Sequence, residues 1–254
     1  MNSKGRIEHE KGLCKNGSKL LSDEQKECHK ELCLDLLKCI ENEPDLLNLI
    51  ITCDETWVFM YDPKTKQQSM QWKSTSSPRP KKACMSHSKF KAMLIVFFDI
   101  QGIVMAEWVR SGQTVNQQYY IEVLTKLRED VRRKRLELWR NGWILHQDVP
   151  AHITLFVKQL LANKNITVLE HPHYSPDLTP CDSYLFPKIQ VVLKGTHFVS
   201  VEDVEAKTAE NFNSLTEHDL RNCFEHWQHC IQLCVNSEGN YFEGDHSWFP
   251  EFVK

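Results

Sequence analysis

The sequence predicts an α/β fold, a mixed sheet flanked by helices, and three observations point there. Strand-like and helical patterns follow one another in the order strands, helix, strand, helix, strand, helices, which suits a sheet covered by helices. The chain has 254 residues, 41% of them hydrophobic and 26% charged, enough for one large globular domain. Finally, Trp143-Ile144-Leu145 reads as a short buried strand that ends on polar residues before a proline and a helical pattern. Asp148 then sits just past a strand's carboxyl end, where open α/β sheets place ligand groups.

Residues 1–20 are polar and without period, and are expected to be a poorly structured extension. Ser22-Asp23-Glu24-Gln25 can cap a helix carrying Leu32, Leu36, Leu37 and Ile40 at helical spacing, which Pro44 stops. Residues 21–49 therefore read as a helical linker. Ile50 to Tyr61 reads as a strand, with Gln67 to Lys73 as a hairpin partner after the turn Asp62-Pro63. Ser74 to Lys82 is a basic, proline-bearing loop. Two strands follow, Lys89 to Asp99 and Ile103 to Val109, joined at Gln101-Gly102. Asn116 to Leu138 reads as one long helix with an apolar stripe through Tyr119, Tyr120, Val123, Leu124, Leu127 and Val131. After the strand to Asp148 come a helix from about Ala151 to Ala162 and a strand from Ile166 to Leu169. A helix begins after Asp182, and two more run Val201 to Phe212 and Thr216 to Val235. The main domain is expected over 50–245 and a tail over 246–254.

The totals exclude some classes of function. A net charge of −3 gives no global basic field, so nucleic acid would have to be held by local patches. The ten cysteines are scattered, with no C-x-x-C pair, which suits reduced thiols. The first residues lack an apolar signal core, and the strongest apolar run, Ala92 to Phe98, is too short to span a bilayer, so no membrane partner is expected.

Three acids stand at chemically useful places. Asp54 ends an apolar run, Asp148 follows another, and Asp182 opens a helix after two prolines. Carboxylates converging from two strands and a helix start suit Mg²⁺ or Mn²⁺. Singly, each acid reads as well as a surface group or a helix cap. Glu55 points away from Asp54 in a regular strand and is left out of the site. Asp177 lies in the turn Ser175-Pro176-Asp177 and is expected to bond local backbone. His146 and His152 flank Asp148, where a packed or capping role competes with contact to phosphate. Between His218 and Cys234, His226 with Cys230 and Cys230 with Cys234 have chelating spacing. Phe224, Trp227, Ile231 and Val235 make that helix an ordinary core helix instead. Arg132 to Arg135 read equally as a solvated helix end or as a binding or import patch.

Taken in order, the segments I-T-C-D-E-T-W-V (Ile51 to Val58), Y-D-P-K-T-K-Q-Q-S-M-Q-W-K (Tyr61 to Lys73), S-S-P-R-P-K-K-A (Ser76 to Ala83), G-Q-T-V-N-Q-Q-Y-Y (Gly112 to Tyr120), H-Q-D-V-P-A-H (His146 to His152), Y-S-P-D-L-T-P-C-D (Tyr174 to Asp182) and N-Y-F-E-G-D (Asn240 to Asp245) resemble mariner transposases. The resemblance covers about residues 21–245. It implies a ribonuclease-H-like catalytic domain that cleaves and transfers DNA strands, works as a homodimer and acts in the nucleus. It implies that Asp54, Asp148 and Asp182 are the catalytic triad and hold two Mg²⁺ or Mn²⁺ ions. Arg79, Lys81 and Lys82, in a proline-bearing loop within the matching stretch, are expected to reach DNA phosphate or a partner subunit, and His152 is the further candidate for a DNA contact.

Three departures from the family pattern shape the expectation. The run at the second acid, D-V-P-A-H, is one residue shorter than the family's D-N-A-P-x-H, leaving 33 residues (149 to 181) before Asp182. Cys53 stands where the family usually has glycine. The paired helix-turn-helix modules that precede the family's catalytic domain are not in this sequence, so it reads as N-terminally truncated and as weak in base readout. The alternative reading is a catalytically impaired, transposon-derived remnant that binds DNA or dimerises.

Overall fold

The computed structural model describes residues 21–64, 68–69, 86–148, 155–172 and 175–242, with Asp148 and Leu155 described by their backbone alone. Five strands form one mixed sheet in the order β3-β2-β1-β4-β5. β1 (Ile50–Phe59), β2 (Lys91–Asp99) and β3 (Gly102–Val109) make an antiparallel meander. β4 (Ile144–Asp148) and β5 (Thr167–His171) extend it in parallel beyond β1.

Along β1 and β2 the side chains alternate between two cores, as the two-residue period of a strand demands. Ile51, Cys53, Ile95 and Phe97 face one core, closed by α2 (Gln117–Lys134), α3 (Leu136–Asn141) and α4 (Leu155–Asn163). Ile50, Val58, Leu94, Val96 and Phe98 face the other, closed by α1 (Asp23–Asn42), α5 (Phe186–Leu193), α6 (Val201–Ser214) and α7 (Glu217–Asn236). With both faces covered, the central strands are apolar on both sides, which is why Ala92 to Phe98 reads as an unbroken apolar run. No helix among the described residues is long and apolar enough to cross a membrane.

The caps follow the expected chemistry. Ser22, Ser200 and Thr216 each form a capping box with the residue three positions on, fixing the starts of α1, α6 and α7. Gly239, just past α7, has φ +73, and a Cβ there would meet the Lys26 carbonyl at 1.9 Å. Only glycine lets the end of α7 approach α1 so closely.

The long helix expected over Asn116 to Leu138 is two helices. α2 stops at Lys134 and α3 starts at Leu136, because Arg135 leaves helical geometry (φ −131, ψ 64). Its guanidinium reaches the buried Asp99, with Nε 2.6 Å from Oδ2 and Nη2 3.1 Å from Oδ1. Asp99 Oδ1 also accepts from the backbone N–H groups of Gln101 and Gly102, so one carboxylate holds the β2–β3 turn and the helix break together. The expected strand over Gln67 to Lys73 lies outside the described residues except for Gln68 and Ser69, which form a turn. The helix expected from Ala151 begins, within the described residues, at Leu155.

Candidate functional site

Two of the three acids lie on neighbouring parallel strands. The β1–β4 ladder pairs Ile50 with Ile144, Ile51 with Leu145 and Thr52 with His146. Asp54 and Asp148 each stand two residues past that last rung, at equivalent positions on strands about 4.8 Å apart. Asp54 is half-buried in mid-strand and accepts a 2.8 Å hydrogen bond from the Glu55 N–H. Asp148 ends β4 and pairs in register with His171 of β5.

Asp182 arrives from a different direction. It lies exposed in a π-helical turn, Cys181–Leu185, that feeds directly into α5. The sequence explains the wide turn. Pro187 has no N–H to give the Ser183 carbonyl, while the Phe186 N–H reaches back to the Cys181 carbonyl. Thr179 fixes the entry, accepting from the Cys181 N–H through its hydroxyl and from Ser183 through its carbonyl. Lys188 then ties α5 to α7 by bonding the Tyr184 hydroxyl and Asp219.

Cys181 connects these acids. It is fully buried at the start of the π-turn, and its thiol is pushed well above the usual range, first by burial and then by the fields of Asp54, Cys53 and Asp182. The carboxylates of Asp54 and Asp182 therefore act on one common neighbour. Their hard oxygen donors, with a third acid in register with Asp54, fit a divalent cation rather than a soft metal. Among the described residues no three His, Cys, Asp or Glu side chains form a metal-holding group, and the Asp148 side chain lies outside that set. A cleft of about 350 Å³ opens beside this region, between Thr56 and Val58 of β1 and Phe186, Ile189 and Leu193 of α5.

The remaining candidates sort as follows. His146 is a packed residue. It is buried, bonded to Thr52 Oγ1 at 3.0 Å, tilted on Trp227 and edge-on to His171. Burial first, and His171 second, hold its pKa well below the usual histidine value. Glu55 follows Asp54 along β1, and the two-residue period puts its side chain on the α2 face with Cys53. Cys223, Cys230 and Cys234 are core residues, and Trp227 donates to the Leu178 carbonyl at 2.6 Å. The basic run at the end of α2 is spoken for within the chain. Arg132 pairs with Glu129, Arg133 and Lys134 with Asp130, and Arg135 with Asp99. Arg79, Lys81, Lys82 and His152 lie outside the described residues.

The sequence reading missed the polar floor beneath the acids. Tyr120 of α2 donates to Gln147 Oε1 at 2.5 Å and lies 3.9 Å from Cys53 Sγ. The available signal was Gln147 itself, a polar residue in a strand with little exposure on either side.

Comparison with known proteins bears on this arrangement. The family described as transposase (partial DDE domain) matches residues 62–141. The mariner Mos1 transposase of Drosophila mauritiana is 32% identical over 232 residues, covering 88% of this chain and 64% of that protein. The human histone-lysine N-methyltransferase SETMAR is 28% identical over 230 residues, covering 88% of this chain and 32% of that protein. The chain thus spans less than two thirds of the length of either relative. Among solved structures, the Mos1 mariner paired-end complex with Mn superposes with a TM-score of 0.80 at 30% identity, covering 96% of this chain and 68% of that one. The Mos1 catalytic domain alone gives 0.74 at 29% identity, covering 89% of this chain and 99% of that one.

Proposed function

The chain belongs to the mariner family of transposases, with the ribonuclease-H-like fold of the Mos1 catalytic domain, and from that premise we propose that it cleaves and transfers DNA strands with divalent metal ions. The observation that carries this reading is the shared register of Asp54 and Asp148 on adjacent parallel strands, with the turn that bears Asp182 packed against β1. In this reading Asp54, Asp148 and Asp182 hold two Mg²⁺ or Mn²⁺ ions, supported by Mos1 structures containing Mn or Mg. When bound, such ions would supply an activated water and stabilise charge on the leaving oxygen.

The protein's own contribution is placement. Asp54 is fixed by a central strand paired on both sides, and Asp182 by a turn that the adjacent proline widens. Neither acid needs to move for the two to share a neighbour. DNA binding, through Arg79, Lys81, Lys82 and His152, is proposed to be mainly electrostatic and to fall steeply with salt. A homodimer that depends on the Ser74 to Lys82 loop, and a nuclear location, complete the proposal.

The sequence also favours weakened activity, because H-Q-D-V-P-A-H lacks one residue where β4 must turn toward α4, and strand-to-helix connections are short. The test is nicking of supercoiled plasmid with Mg²⁺ or Mn²⁺. Slow, metal-dependent nicking is expected from the chain and none from Asp182→Ala or Asp54→Asn. Nicking that persists in either variant refutes the assignment of the site.

A further inference from the structure

The backbone ladder between β1 and β4 ends at Thr52 and His146, two residues short of both acids. One hydroxyl takes over past that rung. Tyr120, buried on α2, donates to Gln147 Oε1 at 2.5 Å, and its hydroxyl oxygen lies 3.9 Å from Cys53 Sγ. Cys53 and Gln147 are the residues immediately before Asp54 and Asp148, so this single side chain touches both strands where the ladder has stopped. On the opposite face the Thr52–His146 bond closes the last rung.

Gln147 is an expensive choice for this place. It is 1% exposed, and its Nε2 has no hydrogen-bond partner among the described residues. A buried donor left unpaired lowers stability, and an apolar side chain of similar length would avoid that loss. What the glutamine does provide is an acceptor for Tyr120.

Resting on the active-site reading above, we propose that Tyr120, acting through Gln147, is a positioning residue that sets the spacing of Asp54 and Asp148 for metal binding. It touches neither ion nor DNA. It holds the two acid-bearing strands at a fixed separation, as outer hydrogen bonds do for metal-ligating carboxylates.

The experiment measures Mn²⁺ affinity by water-proton relaxation on the full chain, with melting temperature recorded on the same samples. Tyr120→Phe and Gln147→Met are each expected to weaken Mn²⁺ binding by about tenfold. The double variant should be no weaker than either single, because both remove the same link. Its melting temperature should equal or exceed that of Tyr120→Phe, since neither partner is left unpaired. Tyr119→Phe, whose hydroxyl instead faces Glu107 at 3.5 Å, should bind Mn²⁺ as the parent does. If Tyr120→Phe does not fold, Gln147→Met alone carries the test. Parent-like affinity in Tyr120→Phe and Gln147→Met overturns the proposal, as do losses that multiply in the double variant. Affinity that merely tracks melting temperature across all variants, Tyr119→Phe included, overturns it too. A parent chain that binds no Mn²⁺ refutes the active-site reading and this inference with it, a result distinct from binding that the substitutions leave intact.

Discussion

The two halves of the sheet are built on different terms. The antiparallel half has strands of 10, 9 and 8 residues, while β4 and β5 have 5 each. In the antiparallel half the buried charge, Asp99, is saturated by Arg135 and two backbone N–H groups. The parallel half and the loop after it bury His146, Gln147, His171 and Ser175, and Gln147 Nε2 and Oδ1 of the half-buried Asp177 find no partner among the described residues. One half supplies rigidity, and the other accepts polar groups that weaken a core. Asp54 lies on the strand the halves share, and Asp148 belongs wholly to the weaker one.

The largest expected effect tests the rigid half. Arg135→Met leaves the Asp99 carboxylate buried without its cation, and urea unfolding should show a loss of about 3–5 kcal/mol. Replacing both partners, Arg135→Met with Asp99→Asn, should recover much of it. A loss well under 1 kcal/mol for the single variant would mean that this half does not depend on the pair.

Next comes the missing residue of the parallel half. Inserting Asn between Asp148 and Val149 should raise the nicking rate by roughly a hundredfold, since about 1 Å of misplacement carries a penalty of that order. Asp182→Ala in the repaired chain should abolish the gain. If the unrepaired chain already nicks as fast, Asp148 is well placed and the contrast between halves does not extend to the acids.

The smallest effect reads the buried polar groups directly. Burial pushes the Asp177 carboxyl up to about 6, against the opposing pull of its own backbone N–H. A carboxyl raised in the folded state favours folding when protonated, so its penalty is absent below about pH 4, grows toward pH 6 and is complete above that. Asp177→Asn should therefore leave stability unchanged at pH 4 and raise it by on the order of 1–2 kcal/mol at pH 7. His146, held neutral by burial, works in the opposite sense and weakens the parent and the variant alike as pH drops below about 6.5. Denaturant curves of the two chains at both pH values isolate Asp177. An equal gain at pH 4 would assign the effect to something other than its charge.

Local chemistry carried most of the fold into the sequence. Ser22 and Thr216 mark helix starts, and the apolar runs of β1, β2 and β3 lie where their patterns place them. The break at Arg135 was not legible, because its cause is an acid 36 positions earlier in sequence that only the folded turn brings near. Asp54, Asp148 and Asp182 stand out as candidates by their motifs, but the common register of Asp54 and Asp148 depends on β1 pairing with β4, which no local pattern states. Tyr120 showed the same limit. It sits in the apolar stripe of α2 like any core residue, and its role depends on what Gln147 and Cys53 present across the interface.

The close approach of α7 to α1 at Gly239 bears on the order of events during synthesis. The core on the acids' face of β1 is closed by helices from opposite ends of the described chain, with Cys33 and Ile40 from α1 meeting Phe224, Trp227 and Ile231 from α7. α1 leaves the ribosome before α7, so it must wait for α2 to α6 to be made before its partner exists. Until then Phe98, Leu178 and His146 lack the cover that Phe224 and Trp227 give them. The α2 side can close on residues no later than Val168. The growing chain thus acquires its antiparallel half and α2 early, and completes the surroundings of its acids only once α7 has been made.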